Sequence, residues 1–261
     1  MNPLLRRALL TAAALPVFAM MLTAQQVKRT KVTFYITRHG ETVLNALNRV
    51  QGWADAPLTP EGKAVAHALG LGLKGTVFNA VYASDLGRAR ETARVVVAAK
   101  GGVTPVLQES AELRETAFGC YEGEYNKRMW TDAALYLHYT SAAALFADMQ
   151  RNNKIPEVLA AVKALDTLRL AEDFDAVKRR MHGWLVKTAN EQAKAGGGNV
   201  LVVSHGIAIN ALLTALSEKP FVGKPLGNAS VSMVVFEDGK FQILSVGDMQ
   251  YVEAGQQIEK H

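Results

Sequence analysis

The sequence predicts an α/β protein, a three-layer α/β/α sandwich with a mostly parallel central sheet and a helical insertion. Three observations predict it. Strand-like and helix-like segments alternate from Lys31 onward, the pattern of strands joined by helical crossovers. Asn199 to Val203 reads NVLVV, an apolar run suited to a parallel strand covered on both faces. Between the halves, residues 125–170 are rich in Ala, Leu and aromatic side chains and hold no convincing strand.

The elements follow in order. Val32 to Thr37 (VTFYIT) reads as the first strand. Thr59-Pro60-Glu61 starts a helix, with Thr59 as cap and Pro60 at the first helical position, running to Leu73. Val77 to Ala83 reads as a second strand, and Asp85 to Ala99 as a helix ended by Gly101-Gly102. Residues 125–170 read as a helical insertion and a candidate cap over the site. Phe174, Val177, Met181, Trp184 and Thr188 fall on one face of the next helix, broken by Gly196-Gly197-Gly198. After NVLVV, Ile207 to Leu216 reads as a helix. Val231–Phe236 and Phe241–Val246 flank Asp238-Gly239, a two-residue hairpin signal. The domain is expected to span residues 31–250.

The N-terminus stands apart. Arg6 and Arg7 precede an uncharged apolar run from Ala8 to Ala24, interrupted by Pro16. That is the layout of a secretory signal peptide over residues 1–24, with cleavage expected after Ala24 and a periplasmic or secreted product. The alternative is an uncleaved membrane anchor, for which a run of about 17 residues is short; after cleavage no stable membrane association is expected. Removing residues 1–24 takes two positive charges and no negative ones, so the net charge of +5 becomes 5 − 2 = +3. No basic run suggests nucleic-acid binding, and a mild positive excess suits an anionic small ligand. The single cysteine, Cys120, excludes an internal disulfide and reads as a small buried apolar residue. No signal in the sequence specifies an oligomeric state.

Three polar clusters each follow a predicted strand: Arg38-His39-Gly40-Glu41, Ser84 to Arg88, and Ser204-His205-Gly206. In parallel sheets, ligands bind outside the carboxyl ends of the strands, where helix N-termini also point. Two histidines and two arginines therefore converge on one anion site. Guanidiniums hold a phosphate bidentately. An imidazole whose other nitrogen is fixed as a donor can attack phosphorus. A second histidine, protonated, can stabilise charge on the equatorial oxygens. The leaving oxygen needs an acid, and Leu113-Arg114-Glu115-Thr116 offers Glu115.

These residues resemble the histidine phosphatase superfamily, the phosphoglycerate-mutase-like fold. The resemblance rests on Arg38-His39-Gly40-Glu41-Thr42, Asn45, Gln51-Gly52, Asp55, Pro57-Leu58-Thr59, Gly62, Ser84-Asp85-Leu86, Arg88-Ala89, Thr92-Ala93, Leu113, Glu115, Gly119, Glu122-Gly123 and Val203-Ser204-His205-Gly206. It implies that His39 is the phosphorylated nucleophile and Glu115 the proton donor, then the base for water. It implies that His205, Arg38 and Arg88 form the phosphate pocket, with Gly206 beside it. Asn45 and Gln51 would touch the phosphate or the substrate near it. Two departures stand out: Leu44 where an aromatic residue is common, and Ala171-Glu172-Asp173 in place of Gly-Glu-Ser.

The expected activity is metal-independent hydrolysis of a small phosphomonoester. The rivals are a mutase, which must keep water from the phosphohistidine, and a degenerate protein that only binds a phosphorylated ligand. His67, His138, His182 and His261 lack ligand spacing, so no metal site and no cofactor is expected. Arg90 and Arg94 read as solvated helix residues. Trp53, Tyr121 and the aromatic residues from Trp130 to Phe146 read as core.

Overall fold

Period-two alternation in the central strands decides the layering. In β1 (Val32–Arg38), Phe34 and Ile36 face one side and Tyr35 the other. In β4 (Gly198–Ser204), Val200 and Val202 face the first side, Leu201 and Val203 the second. Both sides are buried, as a strand between two helical layers requires. This computed structural model describes residues 30–103, 105–217 and 225–260; the expected signal peptide and its cleavage site lie outside them.

Among the described residues, one six-stranded sheet has the order β3-β2-β4-β1-β5-β6. Here β2 is Phe78–Ser84, β3 Leu107–Ser110, β5 Val231–Glu237 and β6 Lys240–Asp248. The first four in sequence are mutually parallel; β5 runs antiparallel to β1, and β6 to β5. Asp238 (φ +51°) and Gly239 (φ +75°) make the expected tight hairpin, since both central residues of such a turn need positive φ.

On one face lie α2 (Pro60–Gly72), α3 (Gly87–Lys100) and α9 (Gln250–Glu259). Thr59 caps α2 through Gly62 N (2.9 Å) with Pro60 in its first turn. On the other face lie α7 (Phe174–Lys194) and α8 (Gly206–Leu216). Phe174, Val177, Met181, Trp184 and Thr188 are all buried along α7. Asp173 caps α7 through Ala176 N at 2.8 Å, doing what a serine at that position would do. The insertion consists of α4 (Asn126–Tyr136), α5 (Ala142–Met149) and α6 (Ile155–Leu165). Its Met129, Leu145, Leu159 and Val162 join the same apolar cluster as Leu113, Phe118 and α7.

Several expectations need correction. Helix α3 begins at Gly87, because the Asp85 side chain is engaged by Arg114 (2.6 and 2.7 Å). His138 stands past the end of α4 with φ +62°. Cys120 is half-buried, its sulfur 4.0 Å from Leu165 O. Trp53 is 44% exposed rather than core. Tyr136 (50%) and Phe146 (40%) are also exposed, while Tyr121 is buried. Apart from these corrections, helix α9 continues past residue 250, and its Val252 packs among Ala66 and Leu69 of α2.

Candidate active site

The β1–β4 pairing matches Arg38 with Ser204. The next residue on each strand is a histidine, so His39 and His205 leave the sheet side by side. Their ring centroids are 5.1 Å apart. His39 N donates to Ser204 O at 3.0 Å, and Asn228 Nδ2 and Ala229 N hold the carbonyls of His39 (2.8 Å) and Arg38 (2.9 Å) from the opposite side. Gly40 is obligatory for a different reason. A β-carbon there would lie 2.5 Å from Gly62 O, so the turn after β1 is pressed against the first turn of α2.

The tautomers follow from the partners. His39 Nδ1 lies 2.7 Å from Gly40 O. A carbonyl only accepts, so Nδ1 carries the proton and Nε2 keeps its lone pair. Arg88 Nε donates to that Nε2 (3.3 Å) and to His205 Nδ1 (3.2 Å). A neutral His205 therefore carries its proton on Nε2, which is buried without a partner. Burial, and then the charges of Arg88 and Arg38, hold the His39 pKa well below the usual histidine value. Burial also lowers His205, followed by Arg88, His39, Arg180 and Arg38. Both rings are neutral around pH 7, so His205 enters as a neutral Nε2–H donor and not as the protonated histidine expected from the sequence.

Arg88 is fully buried in the first turn of α3. Its guanidinium donates to Gly52 O (2.7 Å), Ala54 O (2.9 Å) and Asp55 Oδ1 (3.1 Å). Asp55 also accepts from the Gly87 and Arg88 amides. The 52–54 loop is itself organised by Glu122, whose carboxylate accepts from Gly52 N (3.1 Å), Trp53 N (2.8 Å), Ala54 N (2.7 Å) and Phe118 N (2.9 Å). Burial lowers the Arg38 and Arg88 pKa values and the Glu115 carboxylate opposes it; guanidiniums remain charged at any working pH.

Glu115 reaches the same place from the loop after β3. Its Oε1 accepts from Thr116 N (3.0 Å) and Ala208 N (2.9 Å), and its Oε2 from Ile207 N (3.1 Å). The carboxylate thus sits on the N-terminus of α8, a favoured place for an anion. Gly206 lies between the charged groups: a β-carbon on it would stand 3.7 Å from Arg38 Nε and 3.9 Å from Glu115 Oε2. Arg38 donates to Leu226 O (2.6 Å), and its Nε is buried and unpartnered.

Gln51 accepts from Thr42 Oγ at 2.5 Å and keeps a buried, unpartnered Nε2. Asn45 forms a capping box with Thr42 at the start of α1 (Val43–Ala46). The geometry brings His39, His205, Arg38, Arg88, Glu115 and Gly206 into direct or adjacent contact. Gln51 joins through the 51–55 loop that holds Arg88, and Asn45 sits one step further out.

The sequence reading gave no roles to Asp55, Glu122 or Asn228. Asp55 and Glu122 stand in the quoted motifs; Asn228 carries no local signal. Among the described residues no group of three or more His, Cys, Asp or Glu side chains is arranged to hold a metal ion. The positive charge facing an anion comes instead from Arg38 and Arg88.

Such a pocket offers the unprotonated Nε2 of His39, which faces Arg88 Nε at 3.3 Å. Arg38, His205 and Gln51 each keep a buried, unpartnered N–H donor. A tetrahedral oxyanion placed against His39 would meet donors for its equatorial oxygens and a carboxyl group for its leaving oxygen.

The chain is 32% identical over 221 residues to the metal-independent phosphoserine phosphatase of Arabidopsis thaliana, covering 84% of this chain and 82% of that protein. It is 41% identical to phosphoglycerate mutase from Bacillus anthracis str. Sterne, whose crystal structure superposes with a TM-score of 0.81 over 87% of this chain and 98% of the other. Bacillus stearothermophilus YhfR is 28% identical, with a TM-score of 0.67 over 85% and 99%. Residues 34–249, from the first strand through the hairpin, match the model of one family, and the chain belongs to the histidine phosphatase superfamily (branch 1).

Proposed function

We propose that this protein is a metal-independent phosphomonoester hydrolase that works through a phosphohistidine on His39. The observation that carries the reading is the His39 ring: Nδ1–H fixed on Gly40 O, Nε2 unprotonated, and a cation on the nucleophilic side. In the first step Nε2 attacks phosphorus in line and the P–O bond to the leaving alcohol breaks. Glu115, acting in its acid form, gives its proton to the departing oxygen. Arg38, Arg88, His205 Nε2 and Gln51 Nε2 bind the equatorial oxygens as charge moves onto them. In the second step the Glu115 carboxylate takes a proton from water, the water oxygen attacks phosphorus, the P–N bond breaks and inorganic phosphate leaves.

The similarity to a protein named phosphoserine phosphatase supports hydrolysis of a small phosphorylated metabolite. The similarity to a phosphoglycerate mutase supports a second reading, phosphoryl transfer back to a different hydroxyl. The residues and the first step are common to both, and the fate of the phosphoryl group separates them. Incubation with phosphoserine and with 3-phosphoglycerate, following free phosphate and positional isomers together, decides. Hydrolysis predicts stoichiometric phosphate and no isomer; isomer formation without phosphate would establish the mutase.

The N-terminal composition supports action outside the cytoplasm, where a mutase would lack an evident supply of bisphosphorylated primer. The mass of the protein recovered from the producing cell tests this, with a chain starting at Gln25 expected. Intact residues 1–24 would contradict export by cleavage.

A further inference from the structure

The backbone around Glu115 has no ladder to define it. A single 3-10 turn covers Ala111–Leu113, and the chain is irregular from Arg114 to Phe118. Its carbonyls must find donors elsewhere. They find them on Arg180, 65 residues away on α7. One terminal nitrogen of Arg180 donates to Glu112 O (2.8 Å) and Arg114 O (2.7 Å). The other donates to Glu115 O (2.9 Å) and Glu172 Oε2 (2.8 Å), and Nε donates to Glu172 Oε1 (2.8 Å). All five donors of the guanidinium are used, which only a rigid fork of this shape allows. The side chains of both partners are more than four-fifths buried, 17% and 18% exposed.

Glu172 extends the clamp. It accepts from Ala117 N (3.1 Å), and its own amide donates to Ala117 O (3.0 Å). The segment 112–117 is thus fastened to the start of α7 on both sides of Glu115. Trp53 Nε1 adds a second donor to Glu115 O at 3.1 Å.

We propose that Arg180, anchored by Glu172, is a positioning residue that sets the direction in which the Glu115 carboxyl meets the leaving oxygen. The inference rests on the assignment of Glu115 as the acid. Proton transfer needs the donor within hydrogen-bond reach of the departing atom, and small misplacements are costly. A residue that merely stabilises the loop would lower turnover of every phosphomonoester alike. A residue that aims the acid lowers turnover where protonation matters, on alkyl phosphates, and spares aryl phosphates with good leaving groups.

The test measures kcat and KM of the full chain on p-nitrophenyl phosphate and on glycerol phosphate, for Arg180→Gln, Glu115→Gln and the double variant. Arg180→Gln is expected to lose about tenfold more kcat/KM, which reports only the steps up to formation of the phosphohistidine, on glycerol phosphate than on the aryl ester, less than the roughly 10²-fold cost of a full ångström of misplacement. Added to Glu115→Gln, it should bring no further selectivity, because the acid it aims is gone. Equal losses on the two esters, or selectivity that adds in the double variant, would overturn the proposal. If Arg180→Gln does not fold, Arg180→Lys carries the same comparison, since lysine keeps the charge but cannot span three carbonyls and a carboxylate. Selective loss in Glu115→Gln with unselective loss at position 180 defeats this inference alone. Unselective loss in Glu115→Gln defeats the acid assignment and this inference with it.

Discussion

Two buried neutral histidines make folding itself sensitive to acid. In the unfolded chain His39 and His205 take up protons near their ordinary value of 6.5. In the folded protein burial and the neighbouring guanidiniums keep both rings neutral well below that pH. A folded-state pKa below the unfolded one means that stability is complete above about pH 6.5 and is lost as pH falls through and below it. From pH 7.5 to pH 5.5 each ring should cost the folded state on the order of 1 kcal/mol. The perturbation is His205→Asn, which removes one titrating ring and leaves the surface histidines to cancel in the comparison. Urea unfolding followed by tryptophan fluorescence at the two pH values gives the free energies. The loss between pH 7.5 and pH 5.5 should be smaller in the variant than in the wild type, by on the order of 1 kcal/mol. An identical pH dependence in both proteins would refute the claim that His205 is held neutral.

Three further outcomes follow from the contacts. Arg88→Ala should abolish phosphomonoester turnover and cost about 1–3 kcal/mol of stability, because it leaves Gly52 O and Ala54 O without their donor and opens the floor under both histidines; a stable, active variant by urea titration and phosphate release would contradict this. Glu122→Gln should cost about 1.5–3 kcal/mol by weakening the charge-assisted bonds to Gly52, Trp53 and Ala54. It should raise KM more than it lowers kcat, since the loop it organises holds the phosphate-binding arginine, and steady-state kinetics beside a melt would show it. Glu115→Gln should lower kcat/KM on alkyl phosphates by about 10²–10⁴ while that on an aryl phosphate falls far less, as the ratio of initial rates at low concentration of the two substrates reports.

Much of this site is legible in the chain because strand ends carry it. Arg38-His39 and Ser204-His205 each follow an apolar run, and parallel pairing in register brings two histidines together without any further information. Thr59-Pro60 and Asp238-Gly239 are equally local signals, each written in two residues. What the sequence hides is held by long-range carboxylates and amides. Glu122 reads as a loop acid, yet it organises three successive amides 68 to 70 residues away. Asp166 in the same way collects Cys120 N, Leu168 N, Leu170 N and Ala171 N at the end of the insertion. Burial opposes its charge, but these four donors outweigh it and hold its carboxyl below the ordinary range. The short strand β3 and helix α9 were hidden for another reason. Leu-Gln-Glu-Ser at a sheet edge has almost no apolar pattern, and the short apolar stripe of α9 lies in a Gln- and Glu-rich tail; the place of each is decided by what it packs on.

The central claim is a covalent bond between phosphorus and Nε2 of His39. Mixing the enzyme with a fast-leaving aryl phosphate, quenching in alkali within the first turnover and mapping the phosphorylated peptide by mass spectrometry tests it most directly. The account predicts an acid-labile, alkali-stable phosphoryl group on residue 39, absent from His39→Ala. Steady release of phosphate by His39→Ala at the wild-type rate, with no phosphoryl group on that peptide in the wild type, would contradict it.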